Sequence, residues 1–195
     1  MPNEWLRTVW FAGCLAWGWV LMLLTHEIGH FIAAEMTGGE VMATNLLPWV
    51  LPYTLVEPNP SPQVVAWGGM LSGTLIPLVA WLATRAARPN WSLFPWGLLG
   101  GCWLANGCYL AVAGGESLTD TGVLLSLGWP SVLLVTIGIV IAIPGYLIAR
   151  QACRTWNAQW RAGDIRWRHA MGLWIGWLLW CGVQAAVVIA CGAIG

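Results

Sequence analysis

The chain of 195 residues is 58% hydrophobic and only 8% charged, far below the roughly 25% charged content of ordinary soluble domains. That composition excludes a soluble globular domain and points to an integral, multi-pass membrane protein in contact with the lipid bilayer, with no nucleic-acid partner expected. Six cysteines, Cys14, Cys102, Cys108, Cys153, Cys181 and Cys191, lie mostly within apolar runs and form no CxxC pair. They read as small packing residues, not as a disulfide framework or a cysteine zinc site.

Uncharged runs cover residues 8–25, 58–84, 89–115, 121–149 and 170–195, each at or above the roughly 18 residues of a candidate transmembrane helix. The expected architecture is one all-α domain over 1–195 with about five transmembrane helices, at 8–36, 64–84, 92–114, 123–149 and 170–193. A short extended or hairpin segment should follow the first. Span one is expected to be retained, because Glu4 and Arg7 make a poor basic leader and the apolar run leads straight into a charged motif.

That motif is His26-Glu27-Ile28-Gly29-His30, an HExxH sequence. In a helix, positions four apart differ by about 40° and 6 Å, so both imidazoles point from one face toward a common metal ion. Two neutral imidazoles can hold zinc, which lowers the pKa of a bound water toward about 7, and the adjacent glutamate can take its proton as it attacks a carbonyl. The competing reading is structural: a polar cluster paired inside the bundle, or a metal site without catalysis. Ionisable groups are costly to bury at membrane depth and usually mark function.

Residues 41–63 contain five prolines, which exclude a regular helix and favour extended or turn structure, such as a hairpin dipping into the membrane interface. Span two opens with Gly68, Gly69, Ser72 and Gly73, a small-residue face on which another helix backbone can approach closely. Ser72 lacks the GxSG context of an intramembrane serine protease. In span three, Asn106 is a lone amide that can pack helices or contact substrate backbone or an oxyanion. Trp5, Trp10, Trp91, Trp96 and Trp129 flank the spans as interfacial anchors would. Trp156, Trp160 and Trp167, with Arg154, Arg161 and Arg168 nearby, suit either a helix over 150–168 lying in the membrane surface or an ordinary basic loop.

With five spans, all eight arginines fall on one side, which the positive-inside rule makes cytoplasmic. The N-terminus is then inside and the C-terminus outside. On that threading the His26–His30 end of span one and the loop carrying Glu116 and Asp120 emerge on the same opposite face, so the two clusters can meet.

The stretch HEIGHFIAAEMTGGEV resembles the signature of the site-2 protease family of intramembrane zinc metalloproteases, with an HExxH helix running on through small residues into a glycine turn. The similarity extends to the glycine-rich start of span two and to an acidic residue near a glycine in GGESLTDTGVLLSLGWP. The resemblance implies one Zn2+ per chain held by His26, His30 and Asp120, with Glu27 as base. Glu116 is the alternative third ligand, ahead of His169, Glu40 or Glu57. It implies hydrolysis of a peptide bond in or near a transmembrane segment of a membrane-protein substrate. Such a segment must unwind locally, and residues 41–63 could offer a strand edge to it. The alternative function is a noncatalytic membrane protein that binds partner helices and keeps a vestigial metal site.

Overall fold

The computed structural model describes residues 4–47, 49–50, 52–88, 93–112, 119–163 and 167–192. Trp91, Glu116 and Arg166 lie outside them. The order of elements is α1 (Glu4–Thr37), β1 (Val41–Asn45), β2 (Tyr53–Val56), α2 (Pro62–Ala87), α3 (Leu93–Val112), α4 (Asp120–Ser126), α5 (Ser131–Ala162) and α6 (Trp167–Gly192). Four of these helices, α1, α2, α5 and α6, are long and apolar enough to cross a membrane. The remaining expected span, α3, forms as a helix, but Asn106 and four glycines dilute its hydropathy and it falls outside that group.

Small residues set how the helices meet. Gly29 of α1 faces Gly68 of α2, and a Cβ added at Gly68 would stand 2.6 Å from both the Ala33 Cβ and the Gly29 carbonyl oxygen. The Ser72 hydroxyl donates to the Thr25 carbonyl at 2.6 Å across the same seam. Rising numbers on α1 thus meet falling numbers on α2, and the pair is antiparallel. Gly107 and Gly100 of α3 lie against the backbone of α5 near Gly138 and Ala149 respectively, so this most extensive helix pair is antiparallel too. In contrast, α6 runs parallel to α1: Trp10 and Cys14 cluster with Ala170, Gly13 packs on Leu173 and Trp17 packs on Gly176, while the Trp17 and Trp174 indoles donate to the Leu173 and Val9 carbonyls at 2.8 and 2.9 Å. These directions gather Arg7, Arg85, Arg88, Arg154, Arg161 and Arg168 at one end of the bundle and His26–His30 toward the other.

Gly68→Leu should therefore overpack the α1–α2 seam at a cost of about 1–3 kcal/mol, read as a lower unfolding temperature in detergent. Gly101→Leu, where an added Cβ meets nothing within 4 Å, is the matched control and should not destabilise, since glycine is the poorer helix former.

Span four differs from the expected 123–149. Gly128, at φ 86°, and Pro130 end the short α4 and start a new helix, so α5 begins at Ser131. It then continues through Arg150 to Ala162 and stops at Gly163, which adopts the left-handed conformation that glycine tolerates best. Of the expected surface helix over 150–168, residues 150–162 are thus the far end of α5, and Trp167 and Arg168 open α6. Trp160 of α5 is buried with Trp10, Cys14 and Ala170, and Trp156 packs edge-on against Trp10. Trp10 and Trp160 are core residues, whereas Trp5 is exposed, as an anchor would be.

After α1, Gly38 at φ 76° turns the chain, and β1 and β2 pair as an antiparallel hairpin with Val41 opposite Val56 and Asn45 opposite Tyr53. Val41 and Val56 pack against Ala33, Ala34 and Val65. The expected hairpin is formed and is seated on the end of α1 that carries the HExxH motif.

Candidate metal centre

The HExxH motif lies in an unbroken stretch of α1, and Glu27 and His30 are buried. Ligand atoms of His26, Glu27 and His30 lie within 4.8 Å of one another, a group that could hold a metal ion. The space that accommodates these side chains comes from α2. A Cβ at Gly69 would collide with the His30 ring and come within 2.8 Å of His26 Nε2, and one at Gly73 would stand 2.6 Å from the Asn106 amide nitrogen. The small-residue face of span two thus packs α1 through Gly68 and Ser72, and makes room for the imidazoles through Gly69.

Asp120 arrives from the first turn of α4. Its Oδ2 is 2.9 Å from His26 Nε2 and its Oδ1 is 3.4 Å from His30 Nε2. The helix is capped by its neighbour, since the Thr119 side chain accepts from the Gly122 N–H at 3.0 Å, which leaves the Asp120 carboxylate for the histidines. Leu124 of α4 is buried against Ala66, Met70, Leu110 and Leu134 and fixes this short helix. The Asp120 N–H donates to the Tyr109 hydroxyl oxygen at 3.2 Å. Burial opposes the charge on Asp120, but the hydrogen bonds and positive character of His26 and His30 outweigh it and bring the carboxyl down to about 2.

The far sides of the two rings are held as well. His30 Nδ1 lies 2.8 Å from the Val65 carbonyl oxygen and His26 Nδ1 lies 3.2 Å from Asn106 Oδ1. Those oxygens only accept, so each ring offers them its Nδ1–H, and a neutral ring then turns a bare Nε2 toward Asp120. Two nitrogen lone pairs and a carboxylate then converge at 2.9 and 3.4 Å. Such an arrangement needs positive charge among the three groups, supplied either by protons on the imidazoles, as in the hydrogen bonds to Asp120 above, or by a metal ion. The spacing is close to the roughly 3.3 Å that separates two ligands around a tetrahedral ion with bonds of about 2.0 Å. Orientation of ligating imidazoles through the opposite ring nitrogen is the usual outer-shell arrangement of metal sites.

Glu27 has a partner of its own: the Thr54 hydroxyl of β2 donates to Glu27 Oε2 at 2.6 Å. Beside His26, Glu27 and His30 is a cavity of about 300 Å³, lined on α1 by Trp19, Met22 and Leu23, on α3 by Ala105 and Tyr109, and on the hairpin side by Pro52 and Tyr53. It extends two turns along α1 from His26, between α1 and α3, with the hairpin along one side.

Of the residues expected from sequence, His26, Glu27, His30, Asp120 and Asn106 meet at this cavity. Asn106 contacts His26, and its amide nitrogen is buried with no hydrogen-bond partner among the described residues. Glu116 is outside the described residues. Glu40 and Glu57 are exposed at the base of the hairpin and His169 is exposed in the first turn of α6, so none of these three lines the cavity. Three contributors are not among the residues expected from sequence: Thr54, Tyr109 and the Val65 carbonyl. The alternation in Tyr53-Thr54-Leu55-Val56 does turn Thr54 to the same side as the packed Val56, a signal for the first of them. Comparison with protein-family models, with curated proteins and with solved structures found no match to this chain.

Proposed function

We propose that this protein is an intramembrane zinc metallopeptidase that cleaves peptide bonds in or near transmembrane segments of membrane proteins. The observation that carries the reading is the convergence of His26 Nε2, His30 Nε2 and the Asp120 carboxylate, with both Nδ1 atoms committed elsewhere. The donor set fits zinc: two imidazoles and one carboxylate are a usual catalytic triad of ligands, with a fourth position left open. When bound, the ion supplies Lewis acidity toward a water and a substrate carbonyl.

The chain's own residues do the rest. His26, His30 and Asp120 are the ligands, and Asn106 and Val65 hold the imidazoles in the ligating tautomer. Glu27 takes the proton of the attacking water and returns it to the leaving amine nitrogen. The apolar walls at Trp19, Met22, Leu23 and Ala105 exclude bulk water and suit the side chains of a membrane segment. The resemblance of HEIGHFIAAEMTGGEV to the site-2 protease signature supports the same reaction class.

The purified protein is expected to carry about one zinc per chain. His26→Ala or His30→Ala should remove it, because two remaining ligands seldom hold the ion. Elemental analysis of detergent-purified protein measures this, and stoichiometric zinc in the double variant would overturn the ligand assignment. Sequencing the membrane proteins that accumulate uncleaved when Glu27 is changed to Gln tests the activity. If nothing accumulates, a noncatalytic role with a vestigial metal site is favoured.

A further inference from the structure

We propose that Thr54 is a positioning residue for Glu27, so that the hairpin bordering the cavity sets the geometry of the catalytic base. The proposal rests on the metallopeptidase reading above. A glutamate side chain has three rotatable bonds and loses about 1.5–2 kcal/mol of rotamer freedom when fixed. Glu27 is only 4% exposed, and the contact that orients it comes from outside its own helix, from the Thr54 hydroxyl at 2.6 Å. With Oε2 accepting that bond, Oε1 is left as the proton acceptor.

Thr54 can do this because of where β2 lies. Thr54 and Val56 face α1, with Val56 packed near Ala33, Ala34 and Val65, while Tyr53 and Leu55 are about half exposed on the other side. Pro52, Tyr53 and Thr54 all line the cavity that contains His26 and His30. One strand therefore presents its outer face to the surroundings and its inner hydroxyl to the base. Displacing the hairpin, or pairing another strand with it, acts on Glu27 through this single bond. Thr44, opposite Thr54 on β1, is exposed.

The test uses the full chain in detergent. With a peptide spanning the cleavage site of a substrate trapped by Glu27→Gln, Thr54→Val should lower kcat about tenfold to a hundredfold, the weight of a hydrogen bond to a charged group. KM and zinc content should stay near those of the unaltered protein, and Thr54→Ser, which keeps the donor, should restore kcat to within about threefold. An unchanged kcat, or a rise confined to KM, overturns the assignment.

A second readout needs neither metal nor activity. In metal-free protein, hydrogen exchange of the amides of residues 53–56 should accelerate about tenfold in Thr54→Val, the counterpart of losing one such bond. In a Glu27→Ala background the same change should have no further effect. Acceleration that persists there means that Thr54 acts on something other than Glu27. Should Glu27→Ala fail to fold, Thr54→Ser must exchange like the unaltered protein while Thr54→Val does not, and equal exchange in the two variants overturns the proposal. If the unaltered protein cleaves nothing, the peptidase reading fails, and the exchange measurements still judge the link between Thr54 and Glu27.

Discussion

Glu27→Gln is expected to retain zinc and to lose between about a hundredfold and ten-thousandfold of peptide cleavage, the range that a positioned general base contributes. The substitution changes one group and preserves its shape. The amide oxygen can still accept from Thr54 Oγ1, now 2.6 Å from Glu27 Oε2, and the buried position keeps a satisfied polar atom, so the fold should hold. The proposed ligands are untouched, because His26 and His30 turn their Nε2 atoms toward Asp120. What is lost is proton acceptance, since an amide has almost no basicity in water. Zinc content and cleavage of a trapped substrate, measured on the same preparation, separate the two properties. Cleavage at the original rate with zinc still bound would remove Glu27 from the mechanism.

The part of the site that was legible in the sequence is the part fixed by local geometry. Spacing of four residues in a helix brings His26 and His30 to one face whatever surrounds them, and five prolines between 41 and 63 exclude a helix there on covalent grounds. Asp120 became a candidate through topology and resemblance, because span directions carried its loop to the His26 end. The second layer was not legible. The Val65 carbonyl that holds His30 is a backbone group, and any residue at that position would carry it. Asn106 stood out as a lone amide, but its contact with His26 Nδ1 depends on α3 lying where α2's Gly73 lets it approach. The boundary between α4 and α5 is hidden for a different reason. An uncharged run from 121 to 149 reads as one span when charge alone is counted, although Gly128 and Pro130 mark the break. Likewise Trp10 and Trp160 have the composition of interfacial anchors, yet the packing of α1, α5 and α6 buries them together. Composition alone cannot distinguish an indole at a lipid headgroup from one between helices.

Asp120→Asn is expected to weaken zinc binding by more than the roughly 10–100-fold that losing an outer-shell partner costs, and to abolish cleavage, while the protein remains folded in detergent. Two readings of this residue compete: a metal ligand, or a cap for the helix that follows. They differ in magnitude, since a lost cap costs about 1 kcal/mol. They also differ in which residue should be sensitive. Thr119 Oγ1 accepts from the Gly122 N–H at 3.0 Å, so the start of α4 is capped without the Asp120 side chain, which lies at 2.9 and 3.4 Å from the two imidazoles. Asparagine keeps the size of the side chain and removes its charge, leaving the cap in place, so any large loss reports on the histidines. Thr119→Ala should then cost about 1 kcal/mol of stability with zinc affinity nearly unchanged. Glu116→Gln serves as the comparison for the third ligand and should do much less than Asp120→Asn. Equilibrium zinc competition with a chelator, together with unfolding in detergent, measures all three variants on both scales. A larger zinc loss in Glu116→Gln than in Asp120→Asn would transfer the ligand to Glu116, and a mild loss in both would leave His26 and His30 to be completed by a group other than these two carboxylates.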